Sequence, residues 1–501
     1  MQFNFLLNHK LPILLGAFWL VLFFTGLFSY QGTVFVYVLF SMLFLLMLLS
    51  GIYRQVSYGY LFLVVFLWLG FWFKLTASYL LSGGKAFVFE ESIGSFNGSL
   101  SAWDEVLWVA ICASLGVILG RFIYGFFGPK SCYDNTRVRA PAWYPSVRIW
   151  LWAIVMLAAA GVAIFNVAYG IHQIGMVPKT ILPWPLNALI AWMLNIGFAL
   201  AIAVLIWWDM AAKKGVAVQL CAMLAEGFAS SASVISRSMF VFHVVPQLFV
   251  FSRRNEVLRA YSTRTIILFF IAFMTLLLSS IAVVSIVRDF QYAVSQPVSL
   301  AETPIITSEL SEEKNPKPNK PEDITTSEEA ASNVPSSFRL RLIHQLLVNR
   351  WVGMEGVMAV SSYQIKEPAL LWEMLVEKRE AGKVSAYQRI SNSSYQRADA
   401  NHQFATLPGA AAFFFYSGSF VVVILCMAIL ILLMLVLEKG LFVLTKNPLF
   451  CSLFGMTAAN TIAQFGVTPR QDIPYFLMII LSALFICIVQ FRDMKASRHS
   501  V

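Results

Sequence analysis

Arg237 interrupts an apolar stretch, FASSASVISRSMFVFHVVPQ from Phe228 to Gln247, with small residues before it and bulky apolar residues after it. An arginine in hydrocarbon costs roughly 2.5–3.5 kcal/mol on insertion scales, so its presence asks for a reason. Guanidinium groups bind phosphate through paired donors and stay charged when partly dehydrated. Two further arginines have comparable neighbours: Arg350 in NRWVGMEGVMAV, beside Trp351 and Glu355, and Arg470 in FGVTPRQD. Lys179 lies in GMVPKTILPWPLNAL and Lys74 late in an apolar segment. Gathered at one interface, these cations would suit a diphosphate headgroup. Taken singly, each would snorkel to lipid headgroups.

The acidic and imidazole candidates are fewer. Glu226 stands alone in an apolar segment. Such a carboxylate either hydrogen-bonds to small-residue helices or titrates in a proton-coupled transporter. Glu355, beside glycines, is a candidate general base or a helix-terminus anion. His402, in ADANHQFATLPG, is a second catalytic candidate or an ordinary loop histidine. No Walker loop, dinucleotide-binding glycine fingerprint, HExxH or nucleophile-elbow context is present, so energy must come from the substrate or from a gradient. The six cysteines form no CxxC pair and lie near no histidine at metal spacing. The expectation is a chain with no metal and no cofactor.

The elements that must hold these residues are membrane spans. The 501 residues are 59% hydrophobic and 12% charged, with a mean hydropathy of +0.73. Soluble chains are about 25% charged, which excludes a soluble reading. The net charge of +10 calls for no nucleic acid, because basic residues of membrane proteins collect in cytoplasmic loops. Stretches of about 20 apolar residues mark about twelve spans: 11–29, 33–52, 59–81, 105–127, 148–170, 185–208, 216–235, 239–252, 264–287, 411–437, 448–466 and 473–491. The first has no small-residue cleavage site after it and is expected to remain as an anchor.

Charge sets the orientation. Lys213 and Lys214 precede the pair 216–252, and Arg253, Arg254, Arg259 and Arg264 follow it. Both flanks read as cytoplasmic, so the chain goes in and returns as two spans or as a span plus a re-entrant segment. Arg237 then tops the hairpin at the far face and need not cross hydrocarbon. Loop 128–147 and the tail are basic and inside, loop 82–104 is acidic and outside, and both termini are expected in the cytoplasm. The division expected is an N-terminal bundle over 1–287, a disordered linker over 288–336, a small helical periplasmic cap over 337–409, and three C-terminal spans over 410–501. Residues 297–336 lack aromatics and are rich in Ser, Glu, Pro and Lys. FRLRLIHQLL and EPALLWEMLVEKREAG carry helical spacing. The fold class is thus all-α, a polytopic bundle with a cap.

SVISRSM at a hairpin tip, NRWVGMEGVMAV in a large outer loop and NTIAQFGVTPRQD before the last span give the chain a resemblance to a family. It resembles the Wzy-type oligosaccharide repeat-unit polymerases, the O-antigen polymerase class of bacterial inner-membrane proteins. The resemblance implies glycosyl transfer at the periplasmic face. The acceptor hydroxyl of one lipid-linked repeat unit attacks the anomeric carbon of another, and polyprenyl diphosphate leaves. It implies an undecaprenyl-diphosphate-linked oligosaccharide as substrate, with chain-length regulator and flippase proteins as partners. Arg237, Arg350, Arg470, Lys179, Lys74 and Glu226 would bind substrate, and Glu355 and His402 would serve catalysis. An O-antigen ligase, a proton-coupled transporter of an anionic solute and an envelope-assembly scaffold remain competing readings.

Overall fold

The computed structural model describes residues 11–53, 57–81, 92–127, 140–175, 178–212, 217–253, 262–295, 348, 350–378, 384–393, 407–466 and 469–498. Every regular element among them is helical. The first nine are α1 (Leu11–Ser29), α2 (Val34–Ile52), α3 (Tyr58–Leu81), α4 (Leu100–Phe127), α5 (Tyr144–Tyr169), α6 (Leu186–Ala211), α7 (Ala217–Ser233), α8 (Arg237–Arg253) and α9 (Thr263–Ser295). After the long loop come the short helices α10 (Met354–Ser361), α11 (Pro368–Val376), α12 (Ala386–Ser391) and α13 (Gly409–Phe414). Three long ones close the chain: α14 (Phe420–Thr445), α15 (Pro448–Ala463) and α16 (Pro469–Arg498). A π-helical turn interrupts α3 at Leu69–Phe73 and α6 at Met193–Gly197.

Each of the apolar segments read from the sequence overlaps one of these long helices, and 411–437 alone is broken by a turn. Eight of them, α2 to α6, α9, α14 and α16, are long and apolar enough to cross a membrane. α1 and α15 are apolar but shorter. α7 and α8 have 17 residues each. At 1.5 Å per residue that is about 25 Å, slightly less than a hydrocarbon layer of about 30 Å. The apolar window of α3 is 72% buried, whereas those of α9 and α16 are 11% buried. α3 is therefore central and the other two are marginal. Helices before and after the long loop share one hydrophobic core, in which α3 packs against α15 and α4 against α14. The second contact is close: a Cβ on Gly116 would sit 2.5 Å from the Ile424 carbonyl oxygen.

Local chemistry fixes the helix ends. Asn447 Oδ1 accepts from the Leu449 and Phe450 amides, and Pro448 fills the first position of α15. The start of α14 differs from the expected 411–437. The chain first makes α13 and a 3₁₀ turn, Phe415–Ser417, and turns at Gly418 (φ +70°) before Ser419 caps α14. Apolarity is continuous through AAFFFYSGSFVVV, so hydropathy cannot see this turn; only the Ser-Gly-Ser punctuation marks it.

The expected cap also takes a different form where it is described. All eight residues of α10 are buried, and the helix packs against α4 and α13 within the bundle. Its lead-in passes α3 at backbone contact: a Cβ on Gly70 would lie 2.0 Å from the Val352 oxygen, and one on Gly353 2.4 Å from the Gly70 oxygen. Only glycines permit this approach. α11 is the more exposed piece, with Trp372 outward and Met374 inward. The expected linker, 288–336, begins inside α9, which runs on to Ser295; its remaining residues and the stretch 337–347 lie outside the described residues.

Polar pins tie the helices where they end. Buried Glu438 on α14 accepts from Ser57 Oγ (2.5 Å) and from the Tyr58 and Gly59 amides (2.8 Å each), capping the start of α3. Buried Asp209 on α6 accepts from Tyr144 Oη, Arg148, Trp152 Nε1 and Gln219 Nε2 at 2.5–3.1 Å. At the other end of the bundle, Asp104 accepts from Tyr30 Oη and from the Thr33 amide and hydroxyl. Burial and this carboxylate push the Tyr30 phenol upward, so it stays a donor.

Candidate functional site

The end of the bundle that carries the α7–α8 turn also holds most of the residues singled out in the sequence. α3 resumes after its π-turn with Lys74, which is 1% exposed. Lys74 Nζ forms an ion pair with Glu355 and donates to the Trp351 carbonyl oxygen at 3.0 Å. Glu355 lies in the first turn of α10 and is 4% exposed. A carboxylate is favoured there by the helix dipole. A central helix and the inserted loop segment are thus joined by one buried pair of opposite charges. Phe66 on α3 contacts both the Trp351 ring and the Phe242 ring, at 6.1 and 6.2 Å between centroids. That aromatic bridge links the pair to α8.

Arg237 is the first residue of α8. The turn before it, Val234 to Ser236, is built tightly. Ile235 sits at φ +54°, a left-handed conformation that is costly for a β-branched residue. Arg288 of α9 holds it there by donating to the Ile235 and Ile174 carbonyl oxygens at 2.9–3.1 Å. Ser231 Oγ donates to the Ser236 carbonyl oxygen (2.8 Å). Arg237 itself is half-buried, and its Nε is buried with no hydrogen-bond partner among the described residues. A free guanidinium donor therefore coincides with the positive end of a 17-residue helix. Both features favour an anion.

Glu226 is paired inside the bundle. Its Oε1 accepts from Ser230 Oγ at 2.8 Å, and His243 Nδ1 lies 3.0 and 3.1 Å from its two oxygens. His243 Nε2 lies 2.9 Å from the Asn195 carbonyl oxygen, in the π-turn of α6. Both Glu226 and His243 are buried. Sequence reasoning singled out Glu226 and passed over His243. A usable signal existed: the two stand at nearly equal distances from the turn at Ile235, so the two arms of the hairpin bring them face to face.

The other expected residues lie nearer the surface or outside the described residues. Arg350 and Arg470 are exposed. Lys179 is exposed too; its amide donates to the Gly170 carbonyl oxygen (2.9 Å) and its stem lies beside Gly170. His402 lies outside the described residues. Of the expected set, Lys74 and Glu355 meet directly; Arg237 shares their end of the bundle, and Glu226 finds a partner that had not been expected. No family model, no curated protein and no solved structure matches this chain.

Proposed function

We propose that this chain is a metal-independent membrane glycosyltransferase that polymerises polyprenyl-diphosphate-linked oligosaccharide repeat units. In this reading it lies in a bacterial inner membrane with both termini in the cytoplasm and its hairpin tip at the periplasmic face. The observation that carries it is Arg237, a half-buried guanidinium at a helix N-terminus whose buried Nε has no partner among the described residues. The reaction releases a diphosphate, and its charge develops where such a donor would stabilise it. The acceptor hydroxyl attacks the donor's anomeric carbon, the bond to the diphosphate oxygen breaks, and the hydroxyl proton passes to a base. Glu355 is the proposed base, and Lys74 positions it through the buried ion pair. Arg350 and Arg470, both exposed, are proposed to close over the lipid-linked donor from the solvent side.

The test is complementation of a strain lacking the gene, at matched membrane levels, with the polymer ladder read on a gel. Arg237→Lys and Arg237→Ala are both expected to abolish the ladder, since an ammonium cannot reproduce paired planar donors. A wild-type ladder from Arg237→Lys would overturn the assignment. A lipid A core lacking any glycan in the null strain would point instead to ligation. The transporter reading keeps one observation in its favour, the buried Glu226–His243 couple. Proton-driven uptake of an anion by reconstituted vesicles, lost in Glu226→Gln, would establish it over polymerisation.

A further inference from the structure

His243 of α8 reaches two other helices, one through each ring nitrogen. Nδ1 faces the Glu226 carboxyl on α7 at 3.0 Å, and Nε2 faces the Asn195 carbonyl oxygen on α6 at 2.9 Å. A carbonyl oxygen can only accept, so Nε2 carries a hydrogen. Nδ1 then meets a carboxyl group. If that group were ionised and Nδ1 bare, lone pairs would oppose each other at 3.0 Å and 3.1 Å, and the bundle would hold an unmatched negative charge. With one proton between them, on either partner, every contact is a hydrogen bond and the couple is neutral overall. Ser230 Oγ supplies a further donor to the carboxyl.

We propose that Glu226 and His243 form an intramembrane binding site for a single proton, and that this proton holds the α7–α8 hairpin against the π-turn of α6. The π-turn is part of the device. A widened helical turn leaves a backbone carbonyl free to accept from a side chain, and such turns recur at functional positions. Asn195 provides that carbonyl, and its own Oδ1 lies 3.2 Å from His172 Nε2. After loss of the proton the one remaining ring hydrogen can serve only one of two acceptors: on Nδ1 it keeps the bond to the Glu226 carboxylate and leaves Nε2 bare against the Asn195 oxygen, a contact that separation of α7 and α8 from α6 relieves. Among the described residues, the other charged or titratable groups on elements packed around the hairpin stand toward its two ends. Arg237, Arg288, Tyr169 and His172 lie toward the tip. Tyr144, Arg148, Asp209, Cys221, Arg253, Arg264 and Cys451 lie toward the opposite end. Of these, Asp209 is held by its own donors and Arg288 by two carbonyl oxygens. The proposal holds whether the chain transfers glycans or moves a solute.

The experiment is a titration of the full chain in lipid nanodiscs, with histidines labelled by ¹⁵N in the imidazole ring, from about pH 5 to about pH 10. Resonances of His243 are identified by their loss in His243→Gln. In the wild type, one shared proton is expected at neutral pH, with both ring nitrogens hydrogen-bonded. It should leave in a single step as the pH rises, the protonated fraction falling about tenfold per pH unit beyond the midpoint. The thermal unfolding midpoint should fall over the same pH interval. In Glu226→Gln the amide can donate to Nδ1 without any added proton, so the hairpin should stay packed while both steps disappear. A wild-type His243 that is neutral opposite an ionised Glu226 at neutral pH would overturn the proposal, and so would a step that survives in Glu226→Gln. The wild-type titration decides alone if the variant does not accumulate.

Discussion

Asp209 and Arg237 are both charged residues in apolar helices, and the molecule treats them in opposite ways. Asp209 is wholly buried and receives hydrogen bonds from Tyr144, Arg148, Trp152 and Gln219. Glu438, at the same end, is likewise saturated by Ser57 and two amides. At the hairpin end, Arg237 keeps a buried Nε without a partner among the described residues, Lys74 and Glu355 hold each other, and His243 Nδ1 faces the Glu226 carboxyl at 3.0 Å. The first end uses its buried charge to fasten helices. The hairpin end has a fastener of its own in Asp104, and it also holds charge in arrangements that can change when an anion or a proton arrives. Buried polar groups with every partner fixed rigidify a core, and those with fewer partners are where chemistry is possible.

That contrast can be broken most forcefully at Asp209. Asp209→Ala leaves Arg148 unpaired, strands the Trp152 and Gln219 donors and leaves Tyr144 only the Leu205 carbonyl oxygen. It is expected to cost about 3–5 kcal/mol, the range for removing one partner of a buried pair, and to lower the unfolding midpoint in detergent sharply. A loss below about 1 kcal/mol would mean that the saturated end is not the anchor. Next comes the ion pair at the working end. Lys74→Met and Glu355→Met should each destabilise by about 2–4 kcal/mol, and the double variant should recover most of it, since a well-packed apolar pair replaces a buried ion pair with little penalty. Stability returns in the double variant but the polymer ladder should not, which separates fastening from function.

Smaller effects sharpen the comparison. Glu438→Gln keeps one acceptor for the start of α3 and loses the charge; about 1–2 kcal/mol is expected, read from the same melts. Arg237→Lys should change stability by less than about 0.5 kcal/mol, because its Nε has no partner to lose. Its large effect is expected only on product. A destabilisation of Arg237→Lys comparable to that of Asp209→Ala would show that the two ends are built alike after all.

Helix positions were readable because a membrane span is a one-dimensional property: about 20 apolar residues must follow one another, and composition alone excludes a soluble fold. Arg237 was readable as a hairpin tip because basic residues flank both outer ends of that segment. The sequence by itself therefore determined the all-helical class, the segments and the candidate cations. It could not reveal that α10 sinks into the bundle, since NRWVGMEGVMAV is too short to read as a span and its place depends on the Gly70–Gly353 contact across hundreds of residues of chain. Nor could it reveal the pairings. Lys74 with Glu355, Asp209 with Arg148 and Glu438 with the start of α3 are separated by tens to hundreds of positions. Spacing along the chain records only neighbours within a helix or across a short turn, which is why Glu226 and His243 were in principle within reach and the others were not. Which charges are satisfied and which remain available was decided only by how the helices pack, because satisfaction is a matter of a few tenths of an ångström between groups the chain order does not bring together.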